Sequence, residues 1–233
     1  MRVLALDTAL GATSVAFYES GTGGILAQES VEMQRGHAEA LLPMVERVVK
    51  KTGFGFHEID RFAVTIGPGS FTGLRIGIAA ARGLALAHDK PVVGISSLAA
   101  FAAPVLFGVE RAPVAAAIDA RHGMIFFQCM GMDGRALAGP GLFTVEDAAR
   151  KTGDGPMVFV GDAALLLAQA KKSIASDMRL AEAAVRPASA PDSLWVARLG
   201  AAADPALALA RPLYLREANV TPQERGRLAL AGP

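Results

Sequence analysis

The stretch Arg2-Val3-Leu4-Ala5-Leu6-Asp7 decides the fold of this chain of 233 residues. A short apolar run closed by an acid predicts a buried strand, and Thr13 to Tyr18 predicts a second strand after a glycine turn. The same order returns further along, where Val114 to Asp119 is again apolar and closed by an acid, and Met124 to Met130 runs back. This repetition indicates an internally duplicated α/β protein.

Helices and further strands follow each strand pair. We predict strands over 25–33, 62–66, 92–95, 135–142 and 157–160, and helices over 37–51, 70–88, 145–151, 163–172 and 192–203. We therefore expect two mixed-sheet domains with flanking helices, over residues 1–103 and 104–233. The tail from Arg211 onward is expected to be extended.

The composition is that of a folded protein, with 52% hydrophobic and 19% charged residues. A single cysteine, Cys129, excludes an internal disulfide and fits a reducing compartment, so we expect a cytoplasmic location. A run of only four apolar residues, Val3 to Leu6, leads to Asp7, so neither a signal peptide nor an anchor is expected. Residues 91–109 carry no charge, but prolines and glycines divide them, and we interpret them as core with no membrane contact.

The charge balance is nearly neutral, at +1, and no block of like charge stands out. Proteins that hold nucleic acid alone usually carry a basic stripe, because neutralising phosphates supplies most of the affinity. Any contact of this chain with RNA is therefore expected to depend on a partner.

The helix over 37–51 is apolar over more than the usual single stripe. Leu41, Val45 and Val48 can face a sheet, while Met44 lies on a second face. Two interpretations stay open: the helix is buried on both sides within the chain, or its second face meets a partner.

The helix over 70–88 has a face with almost no side chain, formed by Gly73, Gly77 and either Ala80 or Ala81. Glycine inside a helix costs about 1 kcal/mol relative to alanine, so this face implies very close packing. The loop Gly67 to Gly73 before it is either an anion-binding helix start or a structural turn, and it lacks the lysine of a phosphate-binding Walker loop.

Two acids at strand ends are weak candidates for a nucleotide site. Asp7, with Thr8 beside it, and Asp119 follow the pattern by which actin-like kinases hold magnesium and phosphate. The alternative is that both acids only end strands at an interdomain cleft. No metal site is expected, because the four histidines form no His-x-x-x-His pair and no Cys-x-x-Cys occurs.

Several stretches together identify a family. They are Leu4 to Thr8, His37 to Pro43, Gly67-Pro68-Gly69-Ser70-Phe71-Thr72-Gly73-Leu74-Arg75-Ile76-Gly77, Val93 to Leu98, Ile118 to Arg121, and Arg211 to Arg216. With them the sequence resembles the bacterial TsaB (YeaZ) family, a subunit of the machinery that makes threonylcarbamoyladenosine beside the tRNA anticodon. The glycine-rich block is the most specific of these stretches.

The resemblance implies an actin-like (ASKHA) duplicated fold without catalytic activity or a cofactor of its own. It implies pairing with the catalytic paralogue TsaD and the ATPase TsaE, contact with tRNA only through that complex, and a homodimer when the chain is alone. The metal-binding His-x-x-x-His pair of the paralogue corresponds here to Ser97 and Phe101. The expected partner interface comprises His37, Leu41, Met44, Val45, Val48, Phe71, Gly73, Leu74, Gly77 and Ala81.

Three functional hypotheses follow. The first is a non-catalytic scaffold or activator subunit of the threonylcarbamoyltransferase complex, and it predicts that a bulky residue at Gly73 or Gly77 disrupts dimers while leaving a folded monomer. The second is an autonomous actin-like ATPase or small-molecule kinase that uses Asp7 and Asp119. A peptidase, a third interpretation, lacks both metal ligands and a nucleophile in this sequence.

Overall fold

A computed structural model describes residues 1–21, 24–109, 111–174 and 184–215. The chain forms two five-stranded mixed sheets with helices packed against them. None of the helices in the described ranges combines the length and the apolar character that a membrane crossing requires.

The first sheet has the strand order β3-β2-β1-β4-β5. Its strands are β1 (Arg2–Asp7), β2 (Ala12–Glu19), β3 (Gly24–Glu32), β4 (Arg61–Gly67) and β5 (Val92–Ser96). The first three form an antiparallel meander, and β4 and β5 add in parallel beside β1. Parallel strands need crossover connections, and helices α1 (His37–Thr52) and α2 (Phe71–His88) supply them.

The second sheet repeats this arrangement in the order β10-β9-β6-β7-β8. Its strands are β6 (Val114–Asp119), β7 (Met124–Met130), β8 (Ala136–Thr144), β9 (Val158–Val160) and β10 (Ala184–Arg186), with helices α4 (Val145–Lys151) and α5 (Ala164–Ile174). Because β6 to β8 form a meander and β9 adds in parallel beside β6, the internal duplication is confirmed.

Two further helices join the sheets. Helix α3 (Ser97–Leu106) follows β5, and its Phe101 packs in the cluster that covers one face of the second sheet. Helix α6 (Ser193–Ala202) comes after the second sheet in sequence, yet its Val196 and Ala197 pack with Val3 against the first sheet. We call the first sheet with α1, α2 and α6 the first lobe, and the second sheet with α4 and α5 the second lobe.

The predicted elements agree with the structure to within a few residues. Capping explains several boundaries: Ser70 accepts the amide of Gly73 at the start of α2, and Asp192 accepts that of Leu194 at the start of α6. Strand β10 and the helical form of α3 are additions that the sequence analysis did not assign. Of the predicted extended tail, residues 216–233 lie outside the described residues.

Candidate functional site

A cleft of about 940 Å³ lies between the lobes, at the carboxyl ends of the first strand of each sheet. Its first wall comes from the turn after β1 and the start of α2, including Gly11 and Phe71. Its second wall comes from the loop after β6 and the turn after β9, including Asp119 and Asp162. The carboxyl end of a sheet is the usual place for a ligand in α/β proteins, so this cleft is the candidate site.

Asp7 is not part of the cleft surface. Its side chain is 0% exposed and accepts a 2.5 Å hydrogen bond from the Thr65 hydroxyl and a 3.0 Å hydrogen bond from the Ala9 amide, both at Oδ1. Burial raises the pKa of the Asp7 carboxyl to about 6, although both hydrogen bonds lower it. This carboxyl is therefore placed as an internal group of the first lobe and not as a ligand facing the cleft.

Thr8, the residue after Asp7, packs closely against helix α2. The Thr8 hydroxyl donates a 2.7 Å hydrogen bond to the carbonyl oxygen of Gly73. A Cβ atom at Gly73 would overlap the Thr8 carbonyl oxygen, and one at Gly77 would lie 2.6 Å from the Thr8 hydroxyl. The bare face of this helix therefore packs against the end of β1 in the same chain.

This packing shows where the residues of the expected partner interface lie in the chain by itself. Nine of the ten predicted residues are buried within the chain: His37, Leu41, Met44, Val45, Val48, Gly73, Leu74, Gly77 and Ala81. Met44 and the other apolar side chains of α1 fill the core above the first sheet, which explains the apolar width of that helix. Of the ten, Phe71 is clearly exposed, at 53%. That the two helices meet a partner stays a prediction, and only their outer faces are available for it.

Asp119 lies in the cleft wall, unlike Asp7. Its Oδ1 accepts the Arg121 amide at 2.8 Å, and its Oδ2 lies 3.4 Å from the Arg121 guanidinium. The Asp119 amide in turn donates to Asp162, whose carboxyl pKa burial raises. The structure therefore does not bring Asp7 and Asp119 together on one surface. The Asp119 carboxylate contacts Arg121 of the same loop.

His37 starts α1 and also lines the cleft. Its Nδ1 lies 2.7 Å from the Thr13 hydroxyl, and that hydroxyl is placed to donate to the Met33 sulfur at 3.2 Å. Burial lowers the pKa of the imidazole, which favours the neutral ring. The Thr13 hydroxyl has one proton and donates it either to the Met33 sulfur or to Nδ1 of the ring, according to the tautomer of His37.

An aromatic group at the cleft mouth was missed by the sequence analysis. Phe71 stacks on Tyr214, with ring centroids 5.8 Å apart, and the Arg75 guanidinium lies 3.7 Å from the Phe71 centroid. The spacing of Phe71 and Arg75 by four helical residues is a usable signal. Nothing local in the sequence places Tyr214 beside them.

Metal-ligating side chains are not assembled in the described ranges, where no group of three or more histidine, cysteine, aspartate or glutamate residues could hold an ion. Ser97 and Phe101, at the positions implied for the paralogue's metal ligands, are 0% and 5% exposed in the packing around α3. A hydroxyl and a phenyl ring offer no imidazole nitrogen to a metal.

Known proteins are similar to this chain in both sequence and fold. A model of the family described as "TsaD: tRNA N6-adenosine threonylcarbamoyltransferase" matches residues 14–220. Two proteins named "tRNA threonylcarbamoyladenosine biosynthesis protein TsaB" are similar: that of Escherichia coli is 41% identical over 128 residues, and that of Haemophilus influenzae 39% over 127. The chain belongs to this family, in its TsaB (YeaZ) group.

The structural comparison agrees. "YeaZ from Pseudomonas aeruginosa" superimposes with a TM-score of 0.75 at 27% identity, covering 92% of this chain and 99% of that one. A ROK hexokinase from Thermus thermophilus, with a TM-score of 0.50 at 17% identity, shares the fold alone. The actin-like fold and the family resemblance are thus confirmed. The two TsaB alignments each cover 54% of this chain, which spans about half the length of those curated relatives, at 54% and 52%.

Proposed function

We propose that the chain is a subunit in tRNA threonylcarbamoyladenosine biosynthesis that has no catalytic activity of its own and docks on a TsaD-type catalytic paralogue together with a TsaE-type ATPase. The names of its relatives, tRNA threonylcarbamoyladenosine biosynthesis proteins, point to this pathway. The position of Asp7 carries the non-catalytic part of the proposal, because a carboxyl that is fully buried and hydrogen-bonded to Thr65 and Ala9 does not face a ligand in the cleft.

The same geometry argues against the alternative, an autonomous ATPase or kinase that uses Asp7 and Asp119. Such an enzyme needs both acids to reach the magnesium ion, directly or through water. Here one acid is buried and the other is paired with Arg121. Titration of the chain with ATP and magnesium should therefore give no heat that depends on Asp7, and micromolar binding abolished by Asp7→Ala would restore the ATPase hypothesis.

The outer faces of α1 and α2 support the docking part of the proposal. The two helices pack against each other and expose apolar side chains, with Leu42 53%, Phe71 53% and Leu86 85% accessible. Exposed apolar groups on neighbouring helices are typical of a surface that a second protein covers. The basic side chains of Arg75 and Arg82 lie exposed on the same helix as Phe71 and Leu86.

An omission assay tests the proposed function. A TsaD-type transferase, a TsaE-type ATPase and a threonylcarbamoyl-adenylate synthase are incubated with tRNA, threonine, bicarbonate and ATP, with and without this chain. Modified nucleoside is then counted by mass spectrometry. We expect product only when the chain is present, whereas equal product in both reactions would refute the subunit role.

A further inference from the structure

Residues 187–192, between β10 and α6, cross from the second lobe to the first. Strand β10 pairs with β9 in the second sheet, whereas α6 packs against the first sheet. This segment, which we call the strap, must therefore change shape or detach if the lobes move apart.

The strap is hydrogen-bonded to the first lobe at two residues, Ser189 and Asp192. The Gly11 amide donates to the Ser189 carbonyl oxygen at 3.1 Å, and the Ser189 hydroxyl donates to Glu32 at 2.9 Å. Further along, the Gln28 side-chain amide donates to Asp192 at 2.9 Å. Glu32 and Gln28 both belong to β3, so one edge strand holds most of the strap.

The second lobe is bound to the strap one residue earlier. The Ala188 amide donates to the Gly161 carbonyl oxygen at 3.4 Å, and Gly161 begins the turn after β9 that places Asp162 in the cleft wall. Two adjacent strap residues, Ala188 and Ser189, therefore contact opposite lobes.

Ser189 lines two cavities. One is the cleft of about 940 Å³, and the other is an open cavity of about 400 Å³ whose walls include residues of the strap, α3 and β3. The strap therefore borders both spaces and also links the lobes.

We propose that the strap is a latch that fixes the separation of the lobes, and that release of Ser189 from Gly11 and Glu32 widens the cleft and joins it to the cavity behind. This inference concerns the chain by itself and does not depend on the proposed function. The strap makes one hydrogen bond to the second lobe and three to the first, so widening the cleft breaks the contacts on at least one side of the strap, whereas hydrogen bonds within each lobe can stay.

Spin labels across the cleft mouth test the latch. Thr72→Cys and His122→Cys place one label on each lobe at exposed positions, and pulsed electron resonance measures their separation. In the native background we expect one narrow distance distribution. With Glu32→Ala and Gln28→Ala added, we expect the distribution to broaden and to extend at least 5 Å further.

The matched control is Glu29→Ala, on the same strand. Glu29 pairs with Arg47 of α1 at 2.6 Å and does not touch the strap, so its loss should leave the narrow distribution unchanged. Circular dichroism melts verify that each variant is folded. Identical distributions for the native and the Glu32/Gln28 backgrounds would overturn the latch.

A second variant tests the closed contact itself. A Cβ atom at Gly11 would lie 3.3 Å from the Ser189 Cβ, close to the 3.5–4.5 Å typical of disulfides, so Gly11→Cys with Ser189→Cys should cross-link under mild oxidation. Cys129 does not compete, because it is buried and burial raises its thiol pKa to about 11. Gly21→Cys with Ser189→Cys should stay reduced, since nothing lies within 4 Å of a Cβ at Gly21. Failure of the first pair to cross-link in a folded protein would also overturn the proposal.

Discussion

The Thr8 hydroxyl donates to the carbonyl oxygen of Gly73 at 2.7 Å, and this hydrogen bond joins the end of β1 to the first turn of α2. A carbonyl inside the first turn of a helix is reachable by a side chain only where the two backbones approach closely. The missing Cβ atoms of Gly73 and Gly77 permit that approach. One contact thus explains the glycine face of α2.

Substitution of Gly73 by alanine should destabilise the fold itself. Its Cβ would overlap the Thr8 carbonyl oxygen, so α2 must move away from β1, and we expect the free energy of unfolding to fall by about 2 kcal/mol or more. Gly83→Ala is the matched control on the same helix, because nothing lies within 4 Å of its Cβ, and it should gain about 1 kcal/mol. Urea denaturation measures both values.

That result would differ from the expectation drawn from the sequence, in which a bulky residue at Gly73 or Gly77 disrupts dimers and leaves a folded monomer. If Gly73→Ala keeps the parent's unfolding free energy and loses only self-association, the packing of the glycine face against β1 is not what stabilises the fold.

Asp7→Asn should remove a pH dependence of stability. The folded carboxyl has its pKa raised to about 6 from 3.8, so between these values the folded chain holds a proton that the unfolded chain has released. The contribution of this group to the free energy of unfolding is therefore fully present below about pH 4. It is lost as the pH rises through 6, and the loss is on the order of 3 kcal/mol. Urea denaturation from pH 4 to pH 8 should give a flatter profile for Asp7→Asn than for the parent.

The amide at Asp7→Asn can keep its Oδ1 toward Thr65, so the variant should fold. Asp133→Asn, at an exposed turn, is the control and should follow the parent's profile. A parent whose unfolding free energy does not fall between pH 4 and pH 7 relative to Asp7→Asn would contradict the burial of the Asp7 carboxyl.

Charge on the outer helix faces should weaken docking. Leu42→Glu and Leu86→Glu place a carboxylate on exposed apolar positions of α1 and α2. We expect each change to lower the affinity of the chain for the proposed TsaD-type paralogue at least tenfold, as measured by calorimetry. Leu165→Glu on α5 is matched in exposure, at 55% against 53% for Leu42, and should bind like the parent. Equal loss in all three variants would point to a nonspecific effect and against this docking face.

Arg61→Ala should loosen α6. The Arg61 guanidinium donates to the carbonyl oxygens of Gly200 at 2.8 Å and Ala203 at 2.6 Å, which are carbonyls at the end of that helix. Their loss in a nearly buried position should cost about 2–3 kcal/mol of unfolding free energy and speed amide exchange in α6 first. Arg82→Ala, an exposed arginine of α2, should change stability by less than about 0.5 kcal/mol.

Local patterns in the sequence were sufficient to predict most of the strands and helices. Acid-closed apolar runs located β1 and β6, and Ser70 and Asp192 marked helix starts where their side chains do accept backbone amides. Such signals involve neighbours in sequence, so a single chain reveals them. The division at residue 103 and the docking of the outer helix faces stay predictions.

These local patterns could not predict which element packs against each helix face. The apolar side of α6 fits either sheet equally well, and the bare face of α2 fits a partner as well as β1. Only the distances to Val3 and to Thr8 distinguish these cases. For the same reason the burial of Asp7 and the place of Ser189 in the walls of two cavities have no signature in the sequence.

Helix α6 has a consequence for cutting the chain. It lies against β1, β2 and β4, and Gly200 leaves no room for a side chain above Ala63. A fragment ending at residue 103 would leave Val3, Ala63 and Val93 uncovered on one side of its sheet. Fragments 1–103 and 104–233, produced separately, should therefore stay in solution and reassemble only when they are mixed. Residues 193–202 of the second fragment then bind to the first.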